Sequence, residues 1–286
     1  MRNETRGYAL TFLAAMAFGS TAIFARLAYR FESEPMALAL LRGLITVAAL
    51  LPPLLLAGPG RLRLRMTDVP LFAGLALTGF SLNSLAFLHS LRHTTVATAT
   101  ILLNLYPALV VVGATLLFGE RPHGKWPAVA LTLVGSAFVV QLFHPANFRA
   151  NLPGLAWGLL GAGAAAGNVL MAKRALVKYT AAGLVGHSAW IGCLWLLIFR
   201  GPHPPQWPRY EAAAWLPFLG LAGVVGHLAK NQALRHLESG RVSVLGTAEV
   251  LVAVGLAALL FGERLTAGQA FGTLLVLLGI GLLRRR

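Results

Sequence analysis

Of the nine acidic residues in this sequence, Glu4, Glu32, Glu34, Asp68, Glu120, Glu211, Glu238 and Glu263 fall between apolar runs or at their ends; only Glu249 stands deep inside one, in TAEVLVAVGLAALL. A carboxylate in that setting has three uses. It can bind a cation such as an ammonium, exchange a proton, or pair with Lys230 or His227 as a buried structural ion pair. Ser20, Asn83, Tyr106, Asn168 and His227 lie at the midpoints of five other apolar runs. Polar groups in an apolar medium are costly unless they find partners or a wet cavity. These six residues at one depth therefore form a candidate ligand-binding set around a solvated centre. Asn83 and Asn168 suit hydrogen bonds to amino or carboxylate groups, or to a neighbouring helix. Tyr106 precedes Pro107, which removes a backbone donor and kinks a helix; the phenol and freed carbonyls then line a cavity or simply pack.

Other chemistries find less support. His89 and His93 are spaced i, i+4, but they end a run with no HExxH pattern and no nearby intramembrane acid, so no metal site is expected. No nucleophile is paired with a positioned base, so no catalytic residue and no enzyme are expected. Gly154, Gly158, Gly163 and Gly167 include two GxxxG spacings, and Gly220, Gly223 and Gly226 recur every third residue. These mark close helix contacts rather than a phosphate-cradling loop, and no cofactor is expected. Cys193 is the single cysteine, a small packing residue with no disulfide partner.

The elements that position these residues follow from composition. Hydrophobic residues make up 57% and charged residues 12% of the chain, with mean hydropathy +0.72. A soluble domain carries about 25% charged residues, so the chain reads as a membrane protein. Runs long enough to cross about 30 Å of hydrocarbon as helices fall near 7–29, 36–57, 68–92, 95–118, 125–143, 152–177, 183–200, 215–237, 241–261 and 266–283. The expected fold is an all-α membrane protein of ten transmembrane helices. The short loops leave no room for a basic nucleic-acid-binding domain, despite a net charge of +15. With the N-terminus inside, the connections on that side hold fifteen of the 24 Lys and Arg and those outside hold six, with Arg26, Arg42 and Lys230 within runs. Basic loops favour the cytoplasmic side, which places both termini there, in a multi-pass protein of the cytoplasmic membrane. Arg42 can attract an anionic group or snorkel towards Glu32 or Glu34, and Arg26 and Lys230 lie near enough to span ends to snorkel. Trp157, Trp190 and Trp195 suit either a cavity or a membrane interface.

The chain also repeats itself. LLFGER occurs at Leu116–Arg121 and at Leu259–Arg264, and Leu91-Arg92-His93 recurs as Leu234-Arg235-His236, both at an offset of 143 residues. GYALTFLAAMAFGS from Gly7 resembles GLAWGLLGAGAAAGN from Gly154. Two five-helix repeats are expected, residues 1–143 and 144–286. Five is odd, so the second enters the membrane from the opposite side, an arrangement typical of secondary transporters. Glu120 and Glu263 read as turn-and-cap residues at the starts of the helices that follow them.

Phe18-Gly19-Ser20, Arg42, Pro107, both FGE turns and Glu249, in this order along ten spans, resemble the drug/metabolite transporter superfamily in its ten-helix EamA-type branch. Val250 stands where that family often has proline. The resemblance implies an exporter of small metabolites, most similar to bacterial amino-acid exporters including those for aromatic amino acids. It also implies a central cavity lined by spans 1, 3, 4, 6, 8 and 9. Alternating access at the mid-membrane site is the expected mechanism, with a passive uniporter or channel as the alternative. The expected partners are a small-molecule substrate and membrane lipid, and the expected state is a monomer or homodimer.

Overall fold

Hydrocarbon offers no partner to the backbone, so a chain of this composition must satisfy its amides within helices. The computed structural model describes residues 2–29, 34–56, 58, 64–93, 102–122, 124–143, 152–202, 214–261 and 265–284, all of them helix, turn or connecting segment. Helix α1 is Arg2–Tyr29, α2 Pro35–Leu56, α3 Val69–Ala76, α4 Leu82–His93, α5 Tyr106–Phe118, α6 Lys125–Val139, α7 Leu152–Ala175, α8 Ala181–Arg200, α9 Leu216–Ala233, α10 Ser239–Gly246, α11 Ala248–Phe261 and α12 Ala267–Arg284. A π-turn, Leu77–Ser81, joins α3 to α4 without a break in direction. Four stretches among the described residues are long and apolar enough to cross a membrane: Met36–Leu56, Leu152–Ala175, Ala181–Arg200 and Ser239–Leu260; α5, α6 and α12 are shorter and apolar.

Packing pairs the two halves of the chain. α1 lies against α9 and α11, while α7 lies against α4 and α5. α2 packs on α8, α6 on α12, and α5 on α10. Exchanging the two matching halves of the sequence turns the α1–α9 and α1–α11 contacts into the α7–α4 and α7–α5 contacts and leaves the α2–α8, α6–α12 and α5–α10 pairings unchanged, as a duplicated sequence leads one to expect. Glycines set the tightest approaches. A Cβ on Gly135 of α6 would stand 2.7 Å from the Gly272 carbonyl oxygen of α12. A Cβ on Gly19 of α1 would stand 2.8 Å from the Glu249 carbonyl oxygen of α11.

The helical path is interrupted twice among the described residues, and both interruptions differ from the expected proline kink. Asn104 and Leu105 form a turn, and α5 starts anew at Tyr106 with Pro107 in its first turn. Proline is tolerated there because first-turn N–H groups have no intrahelical acceptor to lose. In the second half, Thr247 interrupts the chain between α10 and α11, and its hydroxyl donates to the Val244 carbonyl at 2.6 Å. Thr247 lies 143 residues after Asn104, so both breaks occupy the same repeat position, and the second forms without proline.

One end of the bundle is closed by charged and polar side chains. Glu120, in the α5–α6 turn, accepts hydrogen bonds from the backbone N–H groups of Ser239 at 2.7 Å and Gly240 at 3.1 Å. It thus caps α10, in the other half of the chain, and not the helix that follows it; α6 begins at Gly124 with no side-chain cap. Glu263 lies outside the described residues. Lys125 is buried and bridges Glu120 at 3.2 Å and Glu238 at 3.0 Å. Lys173, in the last turn of α7, donates to the carbonyls of Leu234 and, at 2.8 Å, Leu237. Arg241 pairs with Glu4 at 3.6 Å, and the Tyr8 hydroxyl donates to the Leu283 carbonyl at 3.3 Å. The start of α1, the ends of α5, α7 and α12 and the α9–α10 turn therefore meet at one place. Asp68, before α3, receives Lys178 at 3.0 Å and the Tyr179 hydroxyl at 2.8 Å from the turn after α7.

Candidate functional site: a charged cavity between the halves

Above this closed end lies a cavity of about 280 Å³, walled by α1, α2, α4, α5, α7, α9, α10 and α11. Its polar wall includes Asn83, Tyr106, Asn168, His227 and Glu249, so the structure brings five of the six candidate residues together. Ser20 is not on that wall. Two residues along a helix turn the side chain by about 200°, so while Phe18 faces the cavity, the Ser20 hydroxyl donates back to the Ala17 carbonyl at 2.8 Å. Trp157, Trp190 and Trp195 are also off the wall: Trp157 stacks on His89, Trp190 donates to His187 Nδ1 at 3.2 Å, and Trp195 donates to the Ala73 carbonyl at 3.2 Å. No group of three or more His, Cys, Asp and Glu side chains that could hold a metal comes together among the described residues.

The helix breaks build one side of the cavity. Glu249 falls in the first turn of α11 because Thr247 ends α10 just before it. A helix N-terminus carries partial positive charge, which favours a carboxylate. Among the described residues no side chain or N–H donates a hydrogen bond to that carboxylate, and it borders the open space. Tyr106 opens α5 in the same manner, and its hydroxyl donates to the Ser243 carbonyl of α10 at 3.0 Å. The phenol therefore ties one broken helix to the other.

The opposite side is a face of α9. Gly223, His227 and Lys230, spaced i, i+4 and i+7, lie on one stripe of that helix. Gly223 leaves space for the methylenes of Arg42 from α2; a Cβ there would meet Arg42 Cδ at 3.3 Å. The His227 ring stacks on Phe80 at 4.9 Å and meets the edge of Phe18 at 5.1 Å. Lys230 Nζ donates to Asn168 Oδ1 at 3.1 Å and lies 5.9 Å from the Phe18 ring centroid. Asn168 in turn donates from its amide to the Leu75 carbonyl at 3.1 Å, just before the π-turn of the third span. That chain of bonds holds the ammonium within the bundle and on the cavity wall, instead of letting it snorkel to an end.

Two further side chains on this wall stand outside the candidate set, although the sequence reading allowed Arg42 to attract an anionic group or snorkel and Lys230 to pair with Glu249 or snorkel. Arg42 and Lys230 both line the cavity, although their distance from the midpoints points towards the ends. The available signal was the i, i+4, i+7 spacing with Gly223 and His227, together with the small residue opposite Arg42. Outside the spans, burial raises the carboxyl of Glu120, but hydrogen bonds from Ser239 and Gly240 and the charge of Lys125 outweigh it and hold the group below its ordinary value. Hydrogen bonds from Lys178 and Tyr179 likewise hold Asp68 low.

A membrane-embedded helical bundle with a polar, charged cavity between two matching halves has the architecture of a transport protein. The EamA-like transporter family model matches the chain twice, over residues 5–141 and 152–285, and the chain belongs to that family. Two curated relatives are similar. One is the "Uncharacterized inner membrane transporter YicL" of Salmonella typhimurium, 28% identical over 68% of this chain and 65% of the relative. The other is the "Uncharacterized transporter sll1319" of Synechocystis, 25% identical over 62% of this chain and 55% of the relative. The matched stretch spans less than two thirds of either relative. A solved crystal structure aligns with a TM-score of 0.85 at 17% identity, over 98% of this chain and 96% of the other, a likeness of fold alone.

Proposed function

We propose that the protein is a secondary transporter that moves small metabolites, amino acids including aromatic ones among them, outward across the inner membrane by alternating access at the central cavity. Ser20, Asn83, Tyr106, Asn168, His227 and Glu249 were the residues expected to bind substrate; Arg42 and Lys230 join the set, and Ser20 acts at most through helix packing. The observation that carries this reading is the mid-bundle cavity of about 280 Å³, walled by helices from both halves and bearing both signs of charge. Such a wall suits a zwitterion: a carboxylate beside Arg42 and Lys230, an ammonium beside Glu249. In this reading the chain forms ten spans in two five-helix repeats, residues 1–143 and 144–286, inverted in the membrane. The meeting of the start of α1 with the end of α7 supports the inversion. Both termini lie on the cytoplasmic side, where the basic loops gather.

Counterflow in proteoliposomes tests the reading. Vesicles loaded with unlabelled tryptophan are diluted into labelled tryptophan with no pH gradient. Transient accumulation above protein-free vesicles is the expected result. Its absence from folded protein removes the aromatic amino-acid assignment. A passive channel is the second reading, favoured by there being one acid among the described residues of the cavity wall; a channel equilibrates label without the transient overshoot.

A further inference from the structure

The π-turn of the third span makes room for one side chain. Within Leu77–Ser81 the backbone widens, and the Leu82 N–H donates to the Leu77 carbonyl, five residues back instead of four; such turns are frequent at functional sites. Gly79 lies in this turn and on the cavity wall, where a Cβ would overlap the side-chain amide of Asn168 from α7. The missing side chain lets that amide donate to the carbonyl of the buried Leu75 at 3.1 Å. Its oxygen accepts from Lys230 Nζ, also at 3.1 Å. A carbonyl only accepts and an ammonium only donates, so these two neighbours fix the amide in one orientation. An ammonium has three donors. Asn168 takes one, and among the described residues no other side chain or carbonyl accepts from Lys230. Glu249 acts on it electrostatically without a hydrogen bond.

We propose that Lys230 binds a carboxylate of the substrate and that Gly79 and Asn168 are positioning residues that present it. Lysine carries its charge on a flexible four-carbon stem. Left unheld, that charge would snorkel to an end of the span or close on Glu249. Held by Asn168, it stays on the wall with two donors for an occupant of the cavity. A carboxylate on those donors makes charge-assisted bonds, which a neutral amide of the same shape cannot match. Both ends of the Asn168 amide are engaged by the protein, so this residue acts through Lys230. Gly79 acts one step further back, by leaving the amide its space. The inference rests on the reading of this cavity as the substrate site, and its test is independent of tryptophan flux.

The experiment is thermal stabilisation of the purified full chain by acids and their neutral amides: indole-3-propionate against indole-3-propionamide, and tryptophan against tryptophanamide. Each acid is expected to half-saturate the rise in Tm at a concentration about tenfold below its amide, the gain from one charge-assisted pair. Lys230→Met should abolish that preference, and Lys230→Arg should retain part of it. Asn168→Leu and Gly79→Ala should each shrink the preference severalfold and leave half-saturation by the amides as in wild type. A packing role alone would lower the Tm of the free protein and spare the preference. Added to Lys230→Met, Asn168→Leu should change acid binding no further, because it acts through the lysine. Gly79→Ala adds only a methyl and keeps the test open if Lys230→Met does not fold. Acids that bind no better than amides, a preference that survives Lys230→Met, or an Asn168→Leu effect undiminished without the lysine would overturn the proposal. So would a wild-type protein that no acid stabilises. Counterflow separates these failures from that of the carrier reading: a carrier that exchanges tryptophan and tryptophanamide equally keeps its function and loses only the role of Lys230.

Discussion

The closed end and the cavity use the same kinds of residue to opposite ends. At the closed end, Glu120 receives two backbone N–H groups and a buried lysine, and Lys173 donates to two carbonyls. In the cavity, the Glu249 carboxylate accepts no protein hydrogen bond among the described residues, and Arg42 and Lys230 border open space. Charges whose partners the protein supplies hold the bundle shut. The Glu249 carboxylate, which faces the cavity with no protein hydrogen bond among the described residues, is open to a partner from outside. Depth in the sequence does not distinguish the two, but the count of partners does.

Four substitutions sharpen or break that contrast, ordered by their expected effect on stability. Glu120→Ala removes the cap of α10 and leaves Lys125 without its nearest buried partner, so unfolding in detergent should show a loss of about 3–5 kcal/mol. The same residue fixes an acid limit. Its folded carboxyl lies below the ordinary 4.5, so its stabilisation is complete above that pH and fades as pH falls through the lower folded value. Wild-type Tm should drop in that range, and Glu120→Gln should flatten the drop.

Lys173→Met keeps the aliphatic stem and gives up two hydrogen bonds from a charged donor, with an expected cost of about 1.5–3 kcal/mol. Denaturant titration reads it; a change below experimental error would mean that the two carbonyls find other donors and that the closed end is not held there. Gly272→Ala places a Cβ 2.5 Å from the Gly135 carbonyl oxygen, pushing α6 from α12 at about 1–3 kcal/mol. These helices lie outside the cavity wall, so half-saturation by a transported substrate should stay as in wild type.

Glu249→Gln completes the comparison. With no protein hydrogen bond among the described residues to lose, but a helix terminus and Lys230 that favour its charge, it should cost about 1 kcal/mol, well below Glu120→Ala, while tryptophan exchange in vesicles falls. Destabilisation as large as that of Glu120→Ala would place Glu249 with the structural charges and dissolve the distinction.

Much of this was legible beforehand because it depends on local properties. Hydropathy located the apolar runs, a described helix overlaps each of them, and the repeated FGER and LRH placed two related halves in register. Mid-run position brought Asn83, Tyr106, Asn168, His227 and Glu249 to one wall. Ser20 is also mid-run but on another face, and Tyr106-Pro107 begins a helix where a kink was expected. Depth follows from counting along a run, whereas facing follows from which neighbour a helix packs against.

By itself, then, the sequence determined the membrane class, the duplication and the position of each polar group along its apolar run, since chain composition and spacing suffice for these. Tertiary structure alone decided three things. Glu120 caps a helix 119 residues away and not the next one. Asn168 and the carbonyl before the π-turn hold Lys230 on the cavity wall. Arg42 reaches that wall over a glycine on another helix. Each depends on a contact between segments far apart in the chain, and a charge becomes structural or functional according to the partners that folding brings to it.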